Sequence, residues 1–312
     1  MIVVLAGGVG AARFLQGLVQ VVPPQEITVV INTADDCEVH GLYVCPDIDS
    51  VLYHLSGLAD EARGWGVRDD TFHALGMLAR YGAETWFQLG DRDLATHLLR
   101  TRLLREGQPL SQVTDTLRRA LGVASRLLPM TDARVATEID TPAGWLPFQV
   151  YFVQRRAADA VRGVRFRGIE EARPAPGVLD ALAAADGIVL APSNPVVSLG
   201  PILAVPGVRA ALRAAAAPVV GISPIVGGAP IKGPADRMLR GLGYAVSPAG
   251  VAGLFADLLD AFVLDRVDAA TAPEVEAVGV RPVVAETIMR GPAEKAALAR
   301  VVLEALAEAR RR

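Results

Sequence analysis

Short apolar runs alternate with amphipathic segments along most of this chain. Residues 2–5 and 27–32 are runs of the length of a buried strand, and residues 11–19 between them have the spacing of a helix. From residue 177 onward the alternation returns, with helices predicted at residues 177–185, 207–216, 236–242, 250–259 and 292–310 and strands at residues 187–191, 218–222, 245–247, 262–264 and 282–285. Helices alternating with strands predict an α/β fold with a mostly parallel sheet covered by helices.

The middle of the chain has a different pattern. Its apolar residues predict successive helices, at residues 71–80, 94–104 and 110–121. Residues 135–153 then contain two strand-like runs on either side of a Thr-Pro-Ala-Gly turn, which predicts a β-hairpin. We therefore assign residues 57–153 to a helical insertion closed by a hairpin, and residues 1–56 and 154–312 to the α/β core.

The composition fits a large buried core. The chain has 312 residues, which is long enough for one elaborated α/β domain or for two domains. Hydrophobic residues make up 52% of the chain but aromatic residues only 5%. Most of the hydrophobic residues are therefore aliphatic, chiefly Ala, Val and Leu. That composition is typical of parallel strands that are covered by helices on both faces.

Charge and cysteine content exclude several classes of function. The net charge is −3 and the pI about 5.9, so we expect no broad basic surface and no nucleic-acid partner. Two cysteines, Cys37 and Cys45, are too few for a disulfide framework, and the chain opens on a strand pattern without a basic leader. The apolar run at residues 208–220 is short and interrupted by charges. We expect a cytoplasmic protein without a membrane span.

A glycine-rich turn, Gly7-Gly8-Val9-Gly10, joins the first predicted strand to the first predicted helix. Glycine allows an anion to approach the backbone, and the free N–H groups at a helix start attract it. Arg13, one turn later, adds a positive charge but occupies the third glycine position of a dinucleotide motif. A Walker A lysine is also lacking here. The turn therefore predicts a phosphate site, with a plain tight turn as the alternative.

Four carboxylates follow the glycine turn, at Asp35, Asp36, Asp47 and Asp49. The first pair comes after a strand, at the sheet edge where ligands bind in open parallel sheets. The second pair precedes a helical run, so either of its members is also a candidate helix cap. Carboxylates beside a phosphate repel it unless a cation such as Mg²⁺ lies between them. We expect one acid from each pair to serve the metal or the substrate.

Later loops offer further polar groups. Ser193-Asn194-Pro195 and the segment from Ser223 to Gly228 each follow a predicted strand, which favours a shared nucleotide cleft over unrelated turns. In Gly90-Asp91-Arg92-Asp93, we expect an aspartate to cap the next helix and Arg92 either to pair with acids or to contact a ligand. His97 is interpreted as a packing histidine, Lys232 as a surface lysine or a phosphate contact, and the scattered Cys and His residues lack zinc-site spacing.

Taken together, several motifs closely resemble the 2-phospho-L-lactate transferase family of coenzyme F420 biosynthesis. The resemblance runs from the first strand to about residue 265. The first loop departs from it mildly, because the family often has Thr in place of Val9 and Gly or Pro near Ala11, but the glycines are kept. The motifs are Gly7-Gly8-Val9-Gly10-Ala11-Ala12-Arg13-Phe14, Asn32-Thr33-Ala34-Asp35-Asp36, Cys45-Pro46-Asp47-Ile48-Asp49, Gly64-Trp65-Gly66, Leu89-Gly90-Asp91-Arg92-Asp93-Leu94-Ala95-Thr96-His97, Leu128-Pro129-Met130-Thr131-Asp132, Pro192-Ser193-Asn194-Pro195-Val196-Val197-Ser198 and Ser223-Pro224-Ile225-Val226-Gly227-Gly228.

The resemblance implies a Rossmann-like core with a helical and hairpin addition, and a Mg²⁺-dependent transferase. Such an enzyme moves a phospholactyl or related group from a guanosine diphosphate-linked donor to the deazaflavin Fo, which gives F420-0 or its dehydro form and GMP. By motif position, the acceptor-binding residues are Asp49 and Arg92, the metal ligands Asp35 and Asp36, and the catalytic carboxylates Asp49 and Asp36. The implied nucleotide and phosphate contacts are Gly7, Gly8, Gly10, Arg13, Ser193, Asn194, Pro195, Gly227 and Gly228.

Two other classes of function are weighed against the transferase. A nucleotide-sugar-binding regulatory protein of related fold has no need of metal carboxylates. An NAD-dependent oxidoreductase favours an acid at the end of the second strand, where this chain has Asn32. The sequence does not identify the three-carbon acid of the donor. It does not determine the oligomeric state either, for which a homodimer is one alternative.

Overall fold

The computed structural model of the chain describes residues 1–311 and has a seven-stranded sheet at its centre. The strands are β1 (Ile2–Ala6), β2 (Ile27–Ile31), β3 (Cys37–Val39), β4 (Leu42–Val44), β5 (Arg126–Pro129), β6 (Ala136–Thr141), β7 (Gly144–Pro147), β8 (Gly163–Arg167), β9 (Gly187–Leu190), β10 (Val219–Ile222), β11 (Ile225–Val226), β12 (Ala229–Pro230), β13 (Ala261–Asp265) and β14 (Arg281–Ala285). The central sheet has the order β14-β13-β10-β9-β1-β2-β5, and its pairs are all parallel. The prediction of a parallel α/β fold is confirmed.

Helices cover both faces of this sheet. They are α1 (Gly8–Leu18), α2 (Pro46–Leu55), α3 (His73–Arg80), α4 (Asp91–Arg105), α5 (Leu110–Ala120), α6 (Val178–Ala183), α7 (Gly200–Ala204), α8 (Val208–Ala214), α9 (Ala235–Gly241), α10 (Pro248–Leu254), α11 (Ala272–Ala277) and α12 (Pro292–Ala309). Two π-helical turns, Val150–Gln154 and Pro195–Leu199, and two 3₁₀ turns, Pro24–Glu26 and Arg266–Thr271, complete the regular structure.

Alternate residues of the central strands belong to different cores. In β1, Val3 and Leu5 pack into the cluster on one face of the sheet, while Val4 and Ala6 pack into the cluster on the other. Successive side chains of a strand point to opposite faces, so a strand buried on both faces needs an unbroken apolar run. That requirement explains why the central strands could be recognised from the sequence.

The order of the strands reverses beside β1. From β1 the chain moves in one direction to β2 and β5, and after the middle segment it returns to β9 on the other side of β1. In an open parallel sheet, a crevice forms outside the carboxyl ends of the strands at such a reversal. The loops after β1 and β9, which carry the glycine turn and Ser193-Asn194, meet at this point.

The structure departs from the predicted elements in several places. β5 lies within residues 57–153, the predicted insertion, but pairs with β2 and forms one edge of the central sheet. The hairpin β6–β7 is present, but its second strand ends at Pro147 and a third strand, β8, pairs with β6. The hairpin β3–β4 was not predicted. Residues 245–247 form no strand, because Ser247 instead accepts a hydrogen bond from Gly250 as the cap of α10.

The lengths of the helices can be set against the thickness of a bilayer. Among residues 1–311, no single helix is both long and apolar enough to cross one. Residues 195–204 and 208–214, which meet at an angle of 84°, pass the test of length and composition only as a bent pair.

The contact between α1 and α12 allows a direct test of the fold. A Cβ atom at Gly17 would collide with the backbone of Lys295, whereas one at Gly76, in α3, would meet open space. We expect Gly17→Ala to lower the free energy of unfolding by about 1–3 kcal/mol through overpacking. The matched control Gly76→Ala is expected to raise it by up to about 1 kcal/mol, since alanine favours helix. Urea denaturation measures both, and equal effects would contradict this packing.

Candidate functional site

A cavity of about 680 Å³ opens at the carboxyl edge of the central sheet. Its wall includes at least one residue from the loop after each of four neighbouring strands, among them Gly7 after β1, Asp35 after β2, Ser193 after β9 and Ser223 after β10. The sequence predicted that these loops share one edge. The structure brings them together around one cavity.

The glycine turn forms the floor of this cavity between β1 and α1. Gly8 has a φ of +72°, and α1 begins there without a side-chain cap from residues 1–311. A Cβ atom at Gly7 would lie 2.6 Å from Asp47 Oδ2 and from Ser198 Cβ, and one at Gly10 would collide with the carbonyl of Pro192. Glycine is therefore required by close packing. The helix start offers N–H groups and the positive end of its dipole to the cavity.

The loop after β9 holds the glycine turn in place. The Ser193 hydroxyl accepts a hydrogen bond from Gly7 N at 3.1 Å and donates one to Gly7 O at 2.8 Å. The Asn194 carboxamide oxygen accepts from Val196 N and Val197 N, which caps the π-helical turn Pro195–Leu199. Ser193 and Asn194 line the cavity, while Pro195 is buried outside its wall. In this structure, both polar side chains are engaged in shaping the loop.

Two buried carboxylates, Asp35 and Asp47, face the cavity beside the glycine turn. Asp47 Oδ2 accepts a hydrogen bond of 2.9 Å from Asn32 Nδ2, whereas Asp35 Oδ1 is buried and has no hydrogen-bond partner among the described residues. Burial raises the pKa of Asp47 to about 6. Burial, and after it the charge of Asp47, raises the pKa of Asp35 well above its usual value. No cationic side chain of residues 1–311 is close enough to lower the pKa of either carboxyl group and so offset the cost of its burial.

Asp36 lies differently from its neighbour Asp35. Its carboxylate oxygens are buried, but they lie outside the cavity wall and face Cys45 and Tyr43. Burial raises the pKa of Asp36 well above its usual value. The chain turns at Asp36 before entering β3, which directs its side chain away from that of Asp35. Asp47 therefore lies where the sequence analysis expected Asp36.

The fourth carboxylate, Asp49, lines the cavity and belongs to a buried charged network that extends behind the wall to Arg100. Arg100 Nη1 donates to Asp49 Oδ2 at 3.1 Å, and Arg100 Nη2 donates to Asp49 Oδ1. His97 lies between Arg100 and Asp93, with its Nε2 3.1 Å from Asp93 Oδ1. Although burial acts against it, this contact helps to hold the pKa of Asp93 below its usual value. Tyr53 donates to the same Asp93 oxygen at 2.6 Å.

Sequence reasoning missed most of this network. Arg100 lies 51 residues from Asp49 in the chain, and nothing local distinguishes it from the other arginines of α4. His97 was interpreted as a packing residue; it is buried, at 1% exposure, and also lies in the cavity wall. The available signal was the spacing of Asp93, His97 and Arg100, since residues three and four apart share one face of a helix.

Arg92 lies away from the cavity wall, on the exposed side of α4. Its Nη1 donates to Arg68 O at 3.2 Å. The capping prediction for this region was wrong, because Asp70 accepts from the N–H groups of Arg92 and Asp93 at the start of α4. Asp91 instead accepts from His73 N and Ala74 N at the start of α3. The two helices thus exchange capping aspartates.

Two cations in the cavity wall contact one loop. Arg13 Nη2 donates to Glu61 O at 3.1 Å, and Lys232 Nζ donates to Gly64 O at 2.9 Å. Burial of the ammonium group, and after it the charge of Arg13, lowers the pKa of Lys232. Both bonds go to neutral carbonyl groups, so each side chain retains its charge for an anion in the cavity.

Gly227 and Gly228 form a hairpin turn between β11 and β12, outside the cavity wall. Their φ angles are +60° and +76°, which glycine adopts without strain. The N–H group of Gly227 donates to both oxygens of Asp268. The loop that follows this hairpin brings Lys232 to the cavity. These glycines therefore position a cavity residue in this structure.

Aromatic side chains line another part of the cavity. They are Trp65, Trp86, Phe87, Phe148 and Phe152. Phe148 and Phe152 stack with their planes 9° apart and their ring centroids separated by 5.5 Å. These residues come from distant segments, so the sequence did not predict their proximity. The cavity is therefore lined by polar groups around the glycine turn and also by a set of aromatic side chains.

The carboxylates fit Mg²⁺ only in part without a ligand. Within the described chain, no group of three or more His, Cys, Asp or Glu side chains is arranged to hold a metal ion. Mg²⁺ commonly uses one or two protein carboxylates together with substrate phosphates and water. Asp35 and Asp47 provide two carboxylates beside the expected phosphate position, and the unpartnered Asp35 Oδ1 suits a cation.

Comparison with known proteins gives a consistent result. The model of the family described as 2-phospho-L-lactate transferase CofD matches residues 2–307. A phosphoenolpyruvate transferase of Streptomyces griseus is 49% identical over 99% of both chains, and a 2-phospho-L-lactate transferase of Methanothermobacter thermautotrophicus is 42% identical over 97% of both. A UPF0052 family structure from Bacillus halodurans shares the fold, with a TM-score of 0.68 over 97% of this chain and 98% of that one at 18% identity.

The raised pKa of Asp47 predicts a pH-dependent stability. Between the usual value of 3.8 and about 6, the folded state keeps a proton that the unfolded state has lost. The contribution of Asp47 to stability therefore falls as the pH rises through this window, by roughly 3 kcal/mol in total. We expect Asp47→Asn to remove this dependence in denaturation curves recorded in EDTA. The exposed Asp180→Asn is the control, and an unchanged pH profile for Asp47→Asn would contradict the assignment.

Proposed function

This chain belongs to the 2-phospho-L-lactate transferase (CofD) family, and on that premise we propose that it transfers a phosphoenolpyruvyl-type group from a guanosine diphosphate-linked donor to the deazaflavin Fo, with release of GMP. The observation that carries the proposal is the meeting of an uncapped helix start with Asp35 and Asp47 in one cavity. Amide groups attract a diphosphate, whereas carboxylates repel it. The presence of both kinds of group in one cavity is explained if the donor diphosphate binds together with a divalent cation.

In this proposal, the donor diphosphate lies against the N–H groups of Gly8, Val9 and Gly10. Arg13 and Lys232, which also line the cavity, neutralise part of its charge. Close packing beneath Gly7 and Gly10 keeps side-chain atoms away from the bound phosphates. The cradle is rigid because Ser193 fixes Gly7 by two hydrogen bonds.

Asp35 and Asp47 are the residues that would hold Mg²⁺, and Asp36 is replaced by Asp47 in this role because of its placement. When bound, the ion supplies neutralisation of the charge on the diphosphate and its leaving group. Burial raises the pKa of both aspartates, and the charge of Asp47 raises that of Asp35 further. A cation beside the two carboxylates would offset the cost of burying their charge and their mutual repulsion.

The acceptor is placed in the aromatic region with its terminal hydroxyl towards Asp49. Planar rings pack favourably against Trp and Phe side chains. The hydroxyl oxygen forms a bond to the phosphorus next to the acid group, and the bond from that phosphorus to the bridging oxygen breaks. GMP leaves with the electron pair, and the hydroxyl proton passes to a carboxylate of this wall. Positioning and charge neutralisation supply most of the rate.

The relatives favour phosphoenolpyruvate as the acid. The relative from Streptomyces griseus named phosphoenolpyruvate transferase is 49% identical, and one from Streptomyces coelicolor with the same name is 48% identical over 89% of both chains. The archaeal relative named 2-phospho-L-lactate transferase is 42% identical. We therefore propose an enolpyruvyl group for the donor and the dehydro form of F420-0 for the product.

A transfer assay with separate donors tests the proposed function. Purified protein is incubated with Fo, Mg²⁺ and a guanosine diphosphate-linked phosphoenolpyruvyl, phospholactyl or phosphoglyceryl donor, and the product mass is recorded. We expect the phosphoenolpyruvyl donor to give the highest kcat/KM and EDTA to stop turnover. Turnover of the phospholactyl donor alone would overturn the choice of acid. No transfer from any donor would overturn the proposed reaction.

A pair of variants tests the metal ligands. We expect Asp35→Asn to lower the Mg²⁺-dependent affinity for GDP at least about tenfold, because it removes a carboxylate beside the phosphate. The variant is also expected to keep or raise the stability of the free protein, since it removes a buried charge. Asp36→Asn, buried outside the cavity wall, is the control and should leave GDP affinity unchanged. Calorimetric titration with GDP, with and without Mg²⁺, measures these affinities. A loss of affinity in Asp36→Asn but not in Asp35→Asn would show that Asp36 is the metal ligand.

A further inference from the structure

Arg100 is fully buried directly behind the Asp49 part of the cavity wall. Its side chain is 0% exposed, and it approaches Asp49 from α4 while Asp49 lies in the first turn of α2. The two nitrogens of its planar guanidinium contact the two oxygens of the carboxylate. A contact at two points fixes the plane of the carboxylate as well as its position.

Arg100 is itself held from behind. His97 Nδ1 lies 3.2 Å from Arg100 Nη1, and the carbonyl of Tyr43 lies 3.5 Å from the same atom. On its other side, His97 contacts Asp93, which also accepts the hydroxyl of Tyr53. Asp49, His97 and Asp93 are all buried, so these contacts restrict where the guanidinium can lie. Asp49 is thereby fixed indirectly through α4.

A stabilising role alone does not explain this arrangement. Asp49 already has a favourable place in the first turn of α2, where the helix dipole attracts a negative charge. A buried ion pair seldom stabilises a fold more than apolar side chains of the same volume do. Asp49 nevertheless lines the cavity, while Arg100 lies outside its wall. The pair is explained by a need for a carboxylate held at a set angle on the cavity surface.

We propose that Arg100 is a positioning residue for the transfer reaction: supported by His97, it fixes the Asp49 carboxylate at the angle at which it receives the acceptor hydroxyl. This inference rests on the proposed function, because it takes Asp49 to meet the acceptor. Arg100 acts through Asp49 and touches no substrate. A carboxylate oxygen has further lone pairs, so Asp49 still accepts a hydrogen bond from a hydroxyl group while it binds Arg100.

A double-mutant cycle on turnover tests the proposal. Arg100→Lys keeps the charge but loses the two-point contact, and we expect kcat to fall at least about tenfold with the KM for the donor unchanged. Asp49→Asn is expected to lower kcat by about 100-fold. Because Arg100 acts through Asp49, the double variant is expected to match Asp49→Asn within about threefold. Losses that multiply, or wild-type kcat in Arg100→Lys, would overturn the proposal.

Arg118→Lys is the matched control, since Arg118 pairs with Asp115 on α5 outside the cavity wall. It should leave kcat unchanged. A crystal structure of Arg100→Lys gives a readout that does not depend on turnover: we expect the Asp49 carboxylate to rotate while Asp47 stays in place. An unmoved Asp49 carboxylate would refute the positioning role. Absence of transfer in the wild-type protein would refute the proposed function instead, and the crystal structure would then decide the role of Arg100.

Discussion

Burial of negative charge beside the glycine turn is the constraint on which this site depends. Asp35, Asp47 and Asp49 all face one cavity, yet the chain compensates each of them differently. Arg100 neutralises Asp49, Asn32 provides one hydrogen bond to Asp47, and Asp35 keeps an oxygen without a partner in the described chain. Uncompensated burial is costly, so the fold holds this arrangement against its own stability. In the proposed function, a cation shared with a bound diphosphate would offset that cost.

The fold supports this arrangement through close packing. β1 ends at the reversal of strand order, and the glycine turn after it contacts the loop after β9 and the start of α2. No space is left for a methyl group at Gly7 or Gly10, so the helix start and the carboxylates stay within a fixed distance. The arrangement of this edge therefore requires glycine at positions 7 and 10.

The two parts of the cavity have different origins in the chain. The glycine turn and its polar neighbours lie in loops that directly follow core strands, whereas the aromatic side chains come from the middle segment and from the turn after β7. Relatives named for different transferred groups match nearly the whole chain, over 99% and 97% of its length.

Local patterns in the sequence determined the core of the fold and part of the site. Unbroken apolar runs identified β1, β2, β9 and β10, because a strand buried on both faces requires them. The glycine turn was recognisable because its chemistry is contained in four adjacent residues. The family resemblance rests on the same short motifs, and the family comparison confirms it.

Only the tertiary structure decided which polar groups meet. Asp35 and Asp36 are adjacent in the chain, but a turn sends their side chains in different directions. Arg100 pairs with Asp49 across 51 residues, and β5 joins the central sheet from a segment whose pattern suggested helices. Contacts between distant segments depend on how whole elements pack, and side-chain direction at a turn depends on backbone angles. Neither is encoded in the local alternation of apolar and polar residues.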